Sequence, residues 1–149
     1  MFAALNTLDG KLISTCMEKH RHQEWLKFLR QIDRETPPDK ELQLIVDNYA
    51  THKHAKVERW LARHKRFHMH FTPTSSSWLN RVERFSRDLS ENRLRRGVFR
   101  SVDELVSAID DYIDGHNDSP KPFIWTAKTS DILEKVKRAR LTLNKHHSD

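Results

Sequence analysis

Apolar positions along this chain alternate in some stretches and recur at helical spacing in others, and their order predicts most of the elements. Phe2 to Asn6 and Lys11 to Met17 read as two short strands joined through Asp9 and Gly10, a hairpin. From His20 to about Glu35, Trp25, Phe28, Leu29 and Ile32 recur every three or four positions, which predicts an amphipathic helix ending at Thr36-Pro37-Pro38. Leu42 to Val46 is an apolar run broken only by Gln43 and too short for a helix, the pattern of a strand buried on both faces, with Asp47 at its C-terminal end. Val57, Trp60, Leu61 and His64 then mark a second helix. Phe67, Met69 and Phe71 alternate with His68 and His70 as a further strand that stops at Pro73.

Beyond three serines, Trp78, Val82, Phe85 and Leu89 follow a 4-3-4 spacing that predicts a third helix, with Ser77 as its N-cap and Glu83 in its second turn. Ser101 with Glu104 forms a capping box for the next helix, whose apolar stripe is Val102, Leu105, Val106, Ile109 and Ile113. Pro120 to Trp125 reads as an extended connection, and Ile132, Leu133 and Val136 mark a last helix running into a polar tail. Strand, strand, helix, strand, helix, strand and then helices predict an α/β fold, a mixed sheet with flanking helices.

Composition narrows this picture. The 149 residues, 36% of them hydrophobic, are enough for one domain that needs no staple, and the single Cys16 could not supply a disulfide framework. No apolar run approaches the ~20 residues of a membrane span, and the N-terminus lacks the basic start and apolar core of a signal peptide, so the expected location is cytoplasmic, with no membrane partner. The net charge is +6. It concentrates in His52 to Arg66, with six Lys or Arg against one Glu, and in Trp78 to Arg100, with seven Arg against three acids. Clustered cations are the footprint of a phosphate-backbone binder, although a solvated basic face accounts for the charge as well.

The residues best placed for chemistry are Asp47 and Glu83. Catalytic and ligand groups of open α/β sheets gather beyond the carboxyl ends of strands, where Asp47 stands. Two carboxylates can hold Mg²⁺, and a pair of such ions about 3.5–4 Å apart would activate an attacking hydroxyl and stabilise the leaving oxygen of a phosphodiester. A turn-capping Asp47 and a merely exposed Glu83 are the alternative. The basic third helix would place Arg81, Arg84 and Arg87 around Glu83, with Arg93, Arg95 and Arg96 beyond, in reach of DNA phosphates. Histidines fall in close pairs at 20 and 22, 52 and 54, 68 and 70, and 146 and 147, but a zinc site needs about four converging N or S ligands, and neither C-x-x-C nor H-E-x-x-H spacing occurs.

The wording around the acids is more specific than the acids themselves. Leu44-Ile45-Val46-Asp47-Asn48-Tyr49-Ala50-Thr51-His52 and Phe71-Thr72-Pro73-Thr74-Ser75-Ser76-Ser77-Trp78-Leu79-Asn80-Arg81-Val82-Glu83-Arg84-Phe85 closely resemble the last two motif blocks of DDE transposases, in the bacterial insertion-sequence branch of the mariner-like superfamily. In that family the second acid opens a "DN" motif and the third follows about 35 residues later; here 35 residues, 48 through 82, separate Asp47 from Glu83. Arg95 to Ser101 and Pro120 to Thr126 carry further family wording, so the resemblance spans roughly residues 2 to 140.

The resemblance implies an RNase H-like fold in which three acids hold two Mg²⁺ or Mn²⁺ ions for transposon-end cleavage and strand transfer. Asp47 and Glu83 match two of the acids; Asn48, His52 and Asn80 fall near the site. The family's first Asp lies on a central strand upstream of the position of Phe2, so both acid and strand are expected to be missing, and the helix-turn-helix region with them. Asp9 is no substitute, being in the hairpin turn. Ser86 stands where relatives often carry an aromatic residue. Residues 1–126 are then a partial catalytic domain and 127–149 a C-terminal helix and tail. The expected partners are DNA, as transposon ends and target, and a second copy or an intact transposase. The chain is expected to be inactive alone, or else to serve as a catalytically dead DNA-binding or transposase-associating module.

Overall fold

The computed structural model describes residues 1–72 and 81–122, with Ser130 and Glu134. Ser77, Trp78, Asn80, most of the aromatic connection and the expected last helix lie outside the described residues.

The expected hairpin forms. Strands β1 (Phe2–Leu5) and β2 (Leu12–Thr15) pair antiparallel, from Phe2 opposite Thr15 to Leu5 opposite Leu12. The connection is wider than a two-residue turn: Asn6 N donates to Lys11 O and Gly10 N to Asn6 O, each at 2.8 Å. Asp9 caps it by accepting from Lys11 N at 2.9 Å. Gly10 is required twice over, by its φ of 79° and by a Cβ position that would fall 2.1 Å from Lys121 O.

Helix α1 (His22–Glu35) starts without a Ser, Thr or Asp cap. Glu24 replaces it, accepting from Arg21 N at 3.1 Å, Arg21 Nε at 3.2 Å and Arg21 Nη2 at 2.8 Å. This Arg21 guanidinium pulls the Glu24 carboxyl down to about 2. The other end of α1 is tied down by Arg66, whose Nε donates to Asp33 Oδ1 at 2.9 Å and whose Nη2 donates to Asp33 O at 3.0 Å and Thr36 Oγ1 at 2.6 Å.

Strands β3 (Leu42–Val46) and β4 (Phe67–Phe71) pair in parallel, Leu42 opposite Phe67 through Val46 opposite Phe71. Parallel pairing demands a crossover, supplied by a 3₁₀ turn at Ala50–Lys53 and helix α2 (Ala55–Arg63). Two expectations are corrected here. The strands form two separate two-stranded sheets among the described residues rather than one mixed sheet. In addition, β3 is buried on one face only: Leu42, Leu44 and Val46 pack toward α1 and α2, while Gln43 is exposed and Ile45 is 62% exposed. Among the described residues helices cover one side of this strand pair; on the other, His68 and His70 lie 2.6 Å from Glu41 Oε2 and Gln43 Oε1.

Helix α3 (Arg81–Leu89) passes into a π-helical turn at Ser90–Leu94, closed by Arg95 N to Ser90 O at 2.9 Å, so it does not run on toward Arg100. Ser90 Oγ also donates to Ser86 O at 2.8 Å. Helix α4 (Val102–Asp118) begins as expected, with Ser101 Oγ accepting from Glu104 N at 3.1 Å, but Glu104 reaches Arg100 N rather than its cap. Val102, assigned to the apolar stripe, is the first residue of the helix and is 74% exposed.

Alternation along the hairpin builds two cores. Phe2, Ala4 and Ile13 join Trp25, Phe28, Leu29, Val57 and Trp60 on the α1/α2 side, whereas Ala3, Leu5 and Leu12 join Phe85, Leu89, Ile109 and Ile113 on the α3/α4 side. The hairpin is thus the middle layer.

Candidate functional site

Asp47 leaves β3 at the carboxyl end of the parallel pair, where Thr72 N extends the ladder by donating to Val46 O at 2.8 Å. Its side chain is 48% exposed, yet Oδ1 is shielded from solvent and has no hydrogen-bond partner. His52 Nδ1 stands 3.0 Å from that oxygen and 3.2 Å from the Asp47 carbonyl oxygen, and only the carbonyl meets hydrogen-bond geometry. His52 sits on the 3₁₀ turn because its N–H donates to Tyr49 O at 3.0 Å. Its ring packs against Trp25 at 4.4 Å and edge-on to Tyr49 at 6.0 Å, leaving 11% of the side chain exposed. Core residue Trp25 of α1 therefore holds His52, and His52 holds the backbone of Asp47. Asn48 is exposed beside them.

Glu83 lies on α3 and is exposed, two positions from Phe85, which anchors that helix in the hairpin's core; the expected start of the helix at Ser77 and Trp78 is outside the described residues. Arg84, Arg87, Arg95 and Arg96 are exposed as well, and Arg81 opens the helix. Asp47 and His52 thus come together on the parallel pair, while Glu83 and the arginines belong to the α3 layer. Asn80 is outside the described residues.

The donors offered to a metal are the hard carboxylate oxygens of Asp47 and Glu83, the chemistry that Mg²⁺ prefers, and of these Asp47 Oδ1 faces His52 Nδ1 at 3.0 Å. Among the described residues no group of three His, Cys, Asp or Glu could hold an ion. The histidine pairs spread into other contacts. His22 and His54 stack at 3.7 Å with 3° between their planes, and His22 Nε2 is buried with no hydrogen-bond partner. Burial first, then the neighbouring His54, Lys56 and Arg21, push the His22 pKa down, which favours a neutral His22.

Sequence reasoning read Trp25 as core, which it is, but missed its packing against His52; no spacing signal could reveal two rings meeting across so many positions of chain. Arg66 and Asn117 were also missed. Asn117 lies on α4, where its amide accepts from Leu12 N at 2.8 Å and donates to Leu12 O at 2.9 Å. Among the described residues no helix is long and apolar enough to cross a membrane.

Asp47 at the end of a strand, Glu83 on a helix and the exposed arginines of that helix are the chain's candidate site groups. Residues 1–106 match the family described as DDE superfamily endonuclease, and the chain belongs to that family. The matched span includes Asp47, Glu83 and the α3 arginines. The chain is 26% identical over 106 residues to the "Insertion element IS630 uncharacterized 39 kDa protein" of Shigella sonnei, an alignment covering 71% of this chain and 31% of that relative. The chain thus spans about a third of the length of the curated relative it matches. No solved structure matches it.

Proposed function

We propose that this chain is a catalytic-domain fragment of an insertion-sequence transposase, acting on DNA in the cytoplasm, with Asp47 and Glu83 as two of the three acids that hold Mg²⁺ or Mn²⁺. The observation that carries the reading is the family match over a span that includes both acids, supported by the placement of Asp47 at the carboxyl end of β3. When bound, the metal would supply Lewis-acid activation for phosphodiester cleavage and strand transfer. Asp47 and Glu83 would be its ligands, Asn48, His52 and Asn80 their neighbours, and Arg81, Arg84, Arg87, Arg95 and Arg96 would contact DNA phosphates.

In this reading the two sheets are the halves of an RNase H-like sheet whose central strand carries the first acid. An antiparallel pair followed by a parallel pair, both packed on α1, with β1 and β3 each paired on one side among the described strands, supports it. Two carboxylates without the third do not hold both ions, so the isolated chain is expected to be inactive. The test is a nicking assay on supercoiled DNA with Mg²⁺ or Mn²⁺. The expected result is no cleavage above the Asp47→Ala variant; robust cleavage that disappears in that variant would sink the inactivity claim. The same open strand edges favour a second reading, a module that binds DNA or pairs with a second copy or an intact transposase. Co-purification with an intact relative, abolished when β1 carries a Pro, distinguishes it.

A further inference from the structure

The α3 arginines absorb only part of the basic surplus. On α1, Lys27, Arg30 and Arg34 are exposed, and on α2, Lys56, Arg59 and Arg63 are exposed. Both sets have the same spacing, i, i+3 and i+7, and at about 100° per residue each set falls within roughly 60° of one helix circumference. The middle of each stripe lies about 130° or more around the helix from buried Phe28, Leu29 and Ile32 on α1 and from Val57 on α2, while buried Leu26 and Trp60 border the stripes at about 70°. The two helices share one core, so their stripes belong to one layer.

None of these six cations forms an ion pair with a described carboxylate. The acids of this layer are engaged elsewhere or turned aside. Glu24 is held by Arg21, Asp33 by Arg66, and Glu35 accepts from Gln31. Glu58 lies about 130° around α2 from the middle of its stripe. In the opposite layer α4 exposes Asp103, Glu104, Asp110, Asp111, Asp114 and Asp118 beside the exposed arginines of α3, so cations and acids are mixed there. A polyanion meeting the molecule from the α1/α2 side is attracted by the two cationic stripes, with Glu18 and Glu24 beside Lys27 at one end of the α1 stripe.

We propose that the solvent-facing side of α1 and α2 is a second duplex-binding surface, distinct from α3 and on the other side of the hairpin, which engages the phosphate backbone of a DNA segment without reading its sequence. Lys56 to Arg63 spans about 10 Å along the helix, enough to follow about three phosphates of one strand. Lys53, whose Nζ lies 5.0 Å over the Phe71 ring, continues α2's basic track back to the end of the sheet that carries Asp47. The inference rests on the reading of the chain as a DNA-acting fragment and adds a place for a second segment of DNA.

The test is fluorescence anisotropy of the full chain with a short duplex of arbitrary sequence, over a series of salt concentrations. Three variants are compared: Lys27→Gln/Arg30→Gln/Arg34→Gln, Lys56→Gln/Arg59→Gln/Arg63→Gln, and Arg84→Gln/Arg87→Gln. All the changed side chains are exposed, and circular dichroism checks folding. Each α1 or α2 triple variant is expected to weaken binding and to flatten the dependence of log K on log salt by about 2 to 3, near 0.9 for each phosphate no longer neutralised. If both triples bind as the unaltered chain does while the α3 variant fails to bind, the inference fails and the proposed function stands. If the unaltered chain binds no duplex, the DNA reading itself fails. Competition by polyglutamate as effective as by duplex DNA would overturn the assignment to nucleic acid.

Discussion

Glu24 shows how much one side chain can decide locally. It stands where α1 lacks a conventional cap and compensates through three hydrogen bonds from Arg21, which hold its pKa near 2 against an ordinary 4.5. A carboxyl whose folded pKa is depressed stabilises the fold fully above its unfolded value and loses that contribution as pH falls toward the folded one. The stabilisation from Glu24 is therefore expected to be intact above about pH 4.5 and to fade between there and about 2. Urea unfolding of the chain and of Glu24→Gln across that range checks it. The gap between the two should be widest at neutral pH and close on acidification; a constant gap would contradict the pairing. The spacing of Arg21 and Glu24 was visible in the sequence, but an arginine is not a usual cap, so no pattern rule singles it out. His52 is the parallel case at the candidate site. Its nearness to Asp47 in sequence was legible, whereas its orientation comes from Trp25, which the chain brings in from another helix.

Among the elements, those with strong periodicity were legible and those shaped by neighbours were not. The hairpin, α1, the β3–α2–β4 unit and α4 all follow from apolar spacing and terminator residues. The end of α3 did not, because Leu94 continues the apolar pattern while the backbone widens into a π turn with Ser90 bonded back to Ser86. The docking of α4 is decided by Asn117, whose amide satisfies both backbone groups of Leu12 where β2 has no further strand beside it among the described residues. Asn117→Ala leaves a backbone donor and acceptor unpaired and is expected to cost about 2 kcal/mol. Faster hydrogen exchange at the Leu12 amide should accompany the destabilisation. Asn117→Asp, which keeps the acceptor and removes the donor, should fall between.

At the scale of the whole molecule, the hairpin separates a basic α1/α2 layer from an α3/α4 layer in which basic α3 lies beside acidic α4. Within the proposed fold, β1 and β3 offer open edges. Their amides that point away from β2 and β4 are expected to exchange with solvent much faster than those bonded within the two pairs. Equal protection on both sides of β1 and β3, measured by NMR, would mean that these edges are covered. The family match over residues 1–106 takes in all the described candidate residues at once, which no single element could have done.

By itself the sequence determined the element order, the strand-end place of Asp47 and the motif spacing that leads to the family. These are properties of neighbouring positions, and local stereochemistry together with apolar periodicity is sufficient to specify them. The tertiary structure alone decided that the strands form two sheets among the described residues, that Gln43 and Ile45 of β3 are exposed, and that Trp25 packs on the His52 that faces Asp47. Each of these depends on which segments meet in space, and hydrophobic burial drives segments together without direction, so sequence spacing carries no record of the partner each side chain finds.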